Sequence, residues 1–150
     1  MRITIDTNHD LNAWEEIDAI QLHSLTVGGG DRLEGGAGSD ILIGGAGDDI
    51  LVGGTGSDRF VFNSVRDGSD TIVDFAIASD ILDLRSLMDT LAYSGNTPIA
   101  DGYLQLVQQG VNTQIQIDAD GRGSGNSFTT LVTLNTVNAN TLVRGGNLLL

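Results

Sequence analysis

The stretch that decides the fold runs from Thr26 to Val61 and reads TVGGGDRLE GGAGSDILI GGAGDDILV GGTGSDRFV. Written in nines, it is one unit repeated four times without a gap. Glycines recur at the first, second and fourth places, an aspartate at the sixth and a large apolar residue at the eighth, although Thr26 and Val27 replace the leading glycines of the first unit. A fixed short period is the signature of a repetitive, coiled architecture.

Each nonapeptide predicts a tight turn followed by a short strand. Glycine enters positive-φ conformations closed to other residues, so six residues can turn with their carbonyls pointing inward. The last three residues of a unit, for example Ile41, Leu42 and Ile43, are β-branched or aliphatic and suit a strand. If consecutive units form opposite halves of a coil, each turn stacks on the turn two units later. This stacking predicts that Asp31 lies near Asp49 and that Asp40 lies near Asp58.

Two carboxylates that face each other repel, and a hard cation relieves the repulsion. Calcium accepts six to eight oxygen ligands in flexible mixtures of carboxylate and carbonyl, whereas magnesium demands a smaller octahedron and zinc prefers nitrogen and sulfur. The pattern therefore favours calcium. The candidate ligands are the turn residues and the aspartates that follow them: Asp31, Gly35, Gly36, Ala37, Gly38, Asp40, Gly44, Gly45, Ala46, Gly47, Asp49, Gly53, Thr55 and Asp58.

The nonapeptide resembles the RTX (repeat-in-toxin) calcium-binding repeat. The resemblance implies an all-β fold, a right-handed parallel β-roll of about two coils followed by a β-rich C-terminal cap, with Ca²⁺ as its cofactor. A flexible glycine-rich linker is the alternative interpretation. A linker, however, does not keep an acid and a large aliphatic residue in fixed phase with its glycines.

The segment 62–85, FNSVRDGSDTIVDFAIASDILDLR, predicts two strands separated by a short loop. It resembles the segment that follows the last repeat in RTX proteins exported by type I secretion. That resemblance implies that acids from this segment complete the last calcium site. The candidates are Asp67, Asp70, Asp80 and Asp83, with Asp80 and Asp83 preferred, and solvated loop acids are the alternative.

The rest of the C-terminal region predicts a helical turn at 86–91, a loop at 94–101, a hairpin with strands at 103–107 and 114–118, and a strand at 130–134. Within DADGRGSGN, Asp118 and Asp120 resemble the start of an EF-hand loop, but Thr129 stands where that loop requires a glutamate. A glycine-rich turn therefore remains the alternative to an ion site there.

The segment 1–25 permits two interpretations. Its string WEEIDAIQL is similar to the final strand of a β-sandwich module upstream of RTX repeats, while apolar residues at helix-like intervals favour a cap on the open end of the roll. The predicted division is 1–25 as a cap or the tail of an upstream sandwich, 26–61 as the calcium-binding roll and 62–150 as the capping and secretion region.

Charge and composition exclude several classes of partner. A net charge of −13 argues against a nucleic acid or an anionic membrane, and no apolar run approaches the ~20 residues of a membrane span. The N-terminus lacks a secretory signal pattern, and the chain has no cysteine. Beyond Asp120 the only charged side chains are Arg122 and Arg144, and this tail resembles the targeting region of type I secreted RTX proteins.

The sequence contains no zincin H-E-x-x-H and no G-x-S-x-G elbow, so we predict that it is not an enzyme. The predicted function is a calcium-dependent folding and secretion module at the C-terminus of a large bacterial adhesin, extracellular or at the cell surface. Its partners would be calcium ions, the type I exporter (an ABC transporter complex) and the upstream domains of the parent protein. The alternative is the same module at the end of a secreted protease or lipase.

Overall fold

The computed structural model describes Arg2–Ile3, Gln21–His23 and the ranges 29–121, 125 and 127–150, which form two β-sheets. The strands are β1 (Arg2–Ile3), β2 (Gln21–His23), β3 (Arg32–Gly38), β4 (Ile41–Ile43), β5 (Ile50–Gly56), β6 (Arg59–Val61), β7 (Asp70–Ile72), β8 (Ile81–Asp83), β9 (Leu104–Gln109), β10 (Asn112–Ile117), β11 (Thr129–Leu134) and β12 (Leu148–Leu149). The helix α1 spans Arg85–Thr90, and a single 3-10 turn spans Ala139–Thr141.

The repeats wind as a parallel β-roll. Strands alternate between the sheets along the chain, so that β3, β5 and β7 lie side by side in one sheet and β4, β6 and β8 in the other. All of these neighbours are parallel. The predicted all-β, parallel architecture is therefore confirmed, and each nonapeptide supplies one turn and one strand.

The core of the roll consists of two apolar ladders that face each other between the sheets. One member comes from the eighth place of each repeat, and the strands after the repeats continue each ladder in register. Burial of such a side chain contributes about 1.5–3 kcal/mol, so the eighth place is the main apolar contribution of each unit. The ladders are Leu33, Leu51, Ile72 and Leu134 in one sheet, and Leu42, Phe60, Leu82 and Leu148 in the other.

The sheets do not stop where the repeats end at Val61. Strand β11 pairs in parallel with β7, and β12 pairs in parallel with β8, so the C-terminal region lengthens both sheets. The hairpin of β9 and β10 extends the first sheet further, with a loop of only Gly110 and Val111 between its strands. The predicted two coils therefore describe the repeats alone. Strands that come later in the chain extend the same two sheets beyond them.

Other local expectations can be compared with the described residues. The helical turn expected at 86–91 is α1, and the segment 94–101 has no strand or helix.

Strands β1 and β2 pair in parallel with β3 and β4, so the described parts of segment 1–25 add to the two sheets. The expected cap or sandwich strand falls mostly on residues 4–20, outside the described ranges. Within those ranges, no helix has the length and apolar character needed to cross a membrane.

Candidate metal centre

The aspartates at the sixth place of each unit stack into two columns along the roll. Each precedes a strand of the roll, so parallel pairing of the strands brings equivalent aspartates together. The backbone N–H of Asp31 donates to Oδ1 of Asp49 at 2.7 Å, and that of Asp40 donates to Oδ1 of Asp58 at 2.9 Å. Both pairs are 18 residues apart, two nonapeptides, as the stacking of alternate units predicts.

Both columns continue beyond the repeats. The N–H of Asp49 donates to Oδ1 of Asp70 at 2.9 Å, and that of Asp58 donates to Oδ1 of Asp80 at 3.1 Å. These spacings are 21 and 22 residues, longer than in the repeats, because the connecting turns carry extra residues. The same hydrogen bond therefore recurs where the nonapeptide pattern has ended.

The second oxygen of these carboxylates is the unusual feature. The Oδ2 atoms of Asp49, Asp58 and Asp70 are buried, and none accepts a hydrogen bond from the residues that the structure describes. Leaving a buried charged acceptor without a partner costs more than the ~1–3 kcal/mol of a neutral group. An ion at these oxygens would remove that cost.

The first glycine of a unit makes room for its own aspartate. A Cβ on Gly53 would lie 2.5 Å from Oδ2 of Asp58, and a Cβ on Gly44 would run into Oδ2 of Asp49. The carboxylate thus occupies the volume that any other residue would fill. Glycine at the first place is required by the position of the carboxylate as well as by the turn.

Burial and mutual repulsion disfavour the charged form of these acids. Burial raises the pKa of Asp49, and the nearby charges of Asp31, Asp48 and Asp67 raise it further. Burial also raises the pKa of Asp58, as do the charges of Asp80 and Asp40.

The effect is largest at Asp70. Burial raises its pKa to about 8, and the carboxylates of Asp49, Asp67 and Asp48 add to the shift, while the backbone hydrogen bond from Asp49 opposes it. Protons or a bound cation would neutralise such a cluster.

The donor set fits calcium. In the described part of the chain, no three acidic or histidine side chains gather closely enough to hold an ion by themselves. An ion held here would therefore need backbone carbonyls as further ligands, and carbonyls of the glycine-rich turns lie beside the aspartates. An oxygen-only set that mixes carboxylates with carbonyls is what calcium accepts, and the chain has no cysteine to favour zinc.

The other acids that the sequence singled out have different surroundings. Asp80 accepts at Oδ2 from the N–H of Ala76 at 2.8 Å, and its Oδ1 also accepts from the hydroxyl of Ser79 at 3.1 Å, so both of its oxygens are used. Asp67 accepts at Oδ2 from the N–H groups of Asn63 and Ser64 at 2.8 and 3.0 Å, which braces its own turn.

Asp83 lies within β8 and pairs with arginine. The Nε and Nη2 atoms of Arg85 donate to its two oxygens at 2.9 and 2.7 Å, and Arg59 lies 3.6 Å away. The hydrogen bond from Arg85 holds the pKa of Asp83 below its usual value. The structure therefore gives Asp83 cationic partners and does not bring it into either aspartate column.

In the EF-hand-like segment, Asp118 is buried and accepts at Oδ2 from the N–H of Ser127 at 3.1 Å. Its Oδ1 accepts from the N–H of Asp120 at 3.4 Å. These contacts are those of a braced turn. Residues 122–124 and 126 of that segment lie outside the described ranges.

Sequence analysis did not single out Asp74. Its Oδ1 and Oδ2 accept from the N–H groups of Gly53 and Gly54 at 2.9 and 2.8 Å, which ties the turn of the last repeat to the next coil. Counting in nines from Asp70 places Asp74 at the first position of a further unit, where a glycine is expected. An acid in place of the glycine expected at the first position of a further unit is therefore the sequence feature that could have identified Asp74.

Comparison with known proteins agrees with this geometry. Residues 26–60 match the sequence model of the RTX calcium-binding nonapeptide repeat in four copies. The chain therefore contains RTX repeats, and Ca²⁺ is the ion that this type of repeat binds. No curated protein sequence matches the chain.

Among solved structures, the chain is similar to the AlgE6R2 subunit of the Azotobacter vinelandii mannuronan C5-epimerase. The two share 29% identity and a TM-score of 0.58, over 88% of each chain. It also matches the AlgE6R3 subunit of the same enzyme with 23% identity and a TM-score of 0.34, over 97% of this chain and 86% of that one. The first similarity supports the β-roll architecture.

Proposed function

We propose that the chain is a calcium-dependent folding module of a secreted or surface-attached bacterial protein, and that calcium ions between its stacked turns complete its fold. In this proposal the module itself is not catalytic. Its role is to remain incompletely folded where calcium is scarce and to close where calcium is plentiful.

The observation that carries the proposal is the pair of buried, unbonded oxygens at Asp49 and Asp58. Each projects into a turn whose first glycine leaves space for it, and each stacks over the aspartate of the neighbouring coil. A divalent cation supplies the charge and the coordination that these oxygens lack.

The proposed carboxylate ligands are the aspartates of the two columns within the repeats, and the proposed carbonyl ligands are the turn residues between them. The carboxylates are Asp31, Asp40, Asp49 and Asp58; the turn residues are Gly35, Gly36, Ala37, Gly38, Gly44, Gly45, Ala46, Gly47, Gly53 and Thr55. Asp80 already accepts hydrogen bonds at both oxygens and Asp83 pairs with Arg85, so neither of these two acids is included in the proposed ligand set.

Mass action sets the size of the effect. If each site has an affinity like that of other extracellular calcium modules, about 10⁻⁴ to 10⁻³ M, a tenfold excess of calcium stabilises the fold by roughly 1.4 kcal/mol per site. At sub-micromolar calcium the contribution vanishes. Several sites in one small module therefore add up to a compartment-dependent folding switch.

Circular dichroism of the purified chain in chelator, titrated with calcium and separately with magnesium, tests the proposal. We expect a cooperative gain of β signal with calcium at concentrations where magnesium has no comparable effect, because the carbonyl-rich turns suit the larger ion. A chain that stays fully folded and equally protease-resistant after thorough metal removal would refute the switch.

For the larger context, we propose export by a type I system and attachment to a large adhesin. The weakly charged tail after Asp120 supports export, since it contrasts with the acidic roll. Co-expression with a type I exporter tests this: the full chain should appear in the medium only when the exporter is present. Retention in the cell with a functional exporter would reject the secretion role.

A second context is favoured by one comparison. The similar AlgE6R2 structure is a subunit of an enzyme, a mannuronan C5-epimerase, at 29% identity. In this second context the module is a non-catalytic appendage of a secreted enzyme. Sequencing of the coding region on either side separates the two, because repeated β-sandwich modules indicate an adhesin and a catalytic motif indicates an enzyme.

A further inference from the structure

We infer that the edge strand β9 pairs antiparallel with β9 of a second copy of this chain, so that the seven-stranded sheets of the two copies join into one. The pairing is centred on Val107, which lies opposite Val107 of the second copy. It involves none of the residues proposed to bind calcium and is therefore independent of the proposed function.

The backbone of β9 pairs on one side only. Among the described strands, β9 is the last of its sheet and has β10 as its single neighbour. The carbonyl of Tyr103 accepts from the N–H of Asp118 at 3.0 Å, so Tyr103 directs its backbone groups toward β10. The backbone groups of successive residues in a strand point alternately to its two sides. Leu104, Leu106 and Gln108 therefore direct theirs away from β10.

One of these three residues already has a partner on the outer side. The N–H of Leu104 donates to the carbonyl of Pro98 at 3.2 Å, which agrees with the outward direction of the even-numbered residues. Within the described ranges, the backbone N–H and C=O groups of Leu106 and Gln108 form no such bond. Free backbone groups along an edge strand are a template for pairing with another strand.

The sequence of β9 contains none of the features that commonly prevent edge pairing. Edge strands in natural proteins are usually very short, or they carry a charge, a proline or a bulge. β9 has six uncharged residues, LQLVQQ, and its pairing with β10 has no shift in register. By contrast β12, an edge strand of the other sheet, has only two residues. The long uncharged edge of β9 is thus suited to accept a strand.

The distribution of charge favours a second copy on this edge. The chain has a net charge of −13, so two copies repel each other wherever their acidic turns approach. The strands β9, β10 and β11 contain no charged residue. Pairing through β9 places these three uncharged strands of each copy between the two sets of aspartate columns. It therefore joins the copies where their mutual repulsion is weakest.

The free backbone groups also match each other across a twofold axis at Val107. In the antiparallel register that places Val107 opposite itself, Leu106 lies opposite Gln108 of the second copy, and these two residues exchange both of their backbone hydrogen bonds. Leu104 and its bond to Pro98 stay outside the pairing. Residues opposite each other at a non-hydrogen-bonded position have their side chains close together, so the two valines pack against each other.

Sedimentation equilibrium of the full chain in calcium, over a range of protein concentrations, tests the pairing. We expect the average mass to rise with concentration toward twice that of the single chain, because one paired strand buries a small area and gives a weak dimer. Val107→Lys places two like charges opposite each other and should stay monomeric. Val143→Lys makes the same exchange at a 59% exposed position before β12 and should dimerise like the wild type.

Two results of this experiment would overturn the inference. One is a wild-type chain that stays monomeric at the highest soluble concentration, which would leave the edge free for a strand of another protein. The other is a folded Val107→Lys variant that dimerises as well as the wild type, which would place the contact elsewhere. Circular dichroism of each variant establishes that it is folded.

Cysteine cross-linking locates the contact, because the chain has no cysteine of its own, and it decides the matter should Val107→Lys fail to fold. Cα atoms in a non-hydrogen-bonded antiparallel pair lie about 4.5 Å apart, within the range that a disulfide spans. Val107→Cys should therefore form a disulfide-linked dimer under mild oxidation. Gln109→Cys, on the same face of β9 but opposite Gln105 of the second copy, should remain largely monomeric. Equal cross-linking of the two variants, or none in Val107→Cys, overturns the inference.

Discussion

The position of one carboxylate oxygen explains why the first residue of each repeat is glycine. Oδ2 of Asp49 occupies the space where a Cβ on Gly44 would lie. The backbone of Gly44 is not among those with positive φ, so alanine there is tolerated by the backbone and opposed only by the carboxylate. A methyl group in this space would therefore displace the Asp49 carboxylate, which is a proposed calcium ligand.

We predict that Gly44→Ala weakens calcium binding more than it destabilises the metal-free chain. The added methyl displaces the Asp49 carboxylate, and loss of a well-placed ligand should raise the calcium midpoint about tenfold, the equivalent of ~1.4 kcal/mol. Calcium titrations monitored by circular dichroism measure this midpoint.

Gly110→Ala, in the hairpin between β9 and β10, is the matched control for that experiment. A Cβ on Gly110 would meet nothing within 4 Å, but its φ of 62° is unfavourable for any residue with a side chain. We expect a loss of about 1–2 kcal/mol in unfolding free energy with calcium bound, with little specific effect on the ligands. Equal calcium midpoints for the two variants would contradict the role assigned to Gly44.

The columns make a related prediction for the aspartates themselves. Asp58→Asn keeps the acceptor for the N–H of Asp40 but removes the charge from a buried Oδ2. We expect its calcium midpoint to rise about tenfold or more, since affinity in oxygen sites depends on ligand charge. Asp89→Asn, on the exposed side of α1, is the control and should match the wild type. A similar shift in both would mean that net charge alone governs binding.

The elements beyond the repeats finish the roll through hydrogen bonds to its last turn. Asp74, in the loop after β7, binds the N–H groups of both Gly53 and Gly54. We predict that Asp74→Ala lowers the unfolding free energy by about 1–3 kcal/mol, because two backbone donors lose a charged acceptor at a partly exposed site. Urea unfolding in saturating calcium measures the loss.

Asp74→Asn serves as the control for that substitution, since it retains one acceptor and should recover part of the stability. An unchanged urea midpoint in Asp74→Ala would show that water replaces the carboxylate without cost. The turn of the last repeat would then be held by strand pairing alone.

The sequence predicted the repeats well because their information is local. Glycines, aspartates and aliphatic residues in a nine-residue phase determine the turn, the strand and the pairing of Asp40 with Asp58. The strands β7, β8 and β11 were also predictable from short apolar patterns. In all of these cases the residues that determine the structure are neighbours in the chain.

The partners of the later strands were not predictable in this way. Leu134 aligns with Ile72, and Leu148 aligns with Leu82, so each pairing joins segments more than sixty residues apart. A local pattern indicates a strand but not which sheet edge it will extend. The same reason hid Asp74, whose partners lie in the preceding coil.

For the whole molecule, the buried acids link folding to both protons and calcium. Burial raises the pKa of Asp49, Asp58, Asp67 and Asp70 above the value of 3.8 expected in an unfolded chain, to about 8 for Asp70. The metal-free folded state therefore binds more protons than the unfolded state between pH 3.8 and about 8. The contribution of these four protonated carboxyls to the stability is fully present below this window and is lost as the pH rises through it.

Calcium reverses this dependence, because the ion needs the deprotonated carboxylates. We predict that in chelator the chain is more resistant to urea near pH 5 than near pH 8, while the calcium midpoint is lower near pH 8 than near pH 5. Protons and calcium thus substitute for each other in relieving the same repulsion. Urea unfolding and calcium titration at the two pH values measure both trends. Greater metal-free stability at pH 8 than at pH 5 would show that the stacked carboxylates are charged and already compensated within the protein, and the folding switch would lose its physical basis.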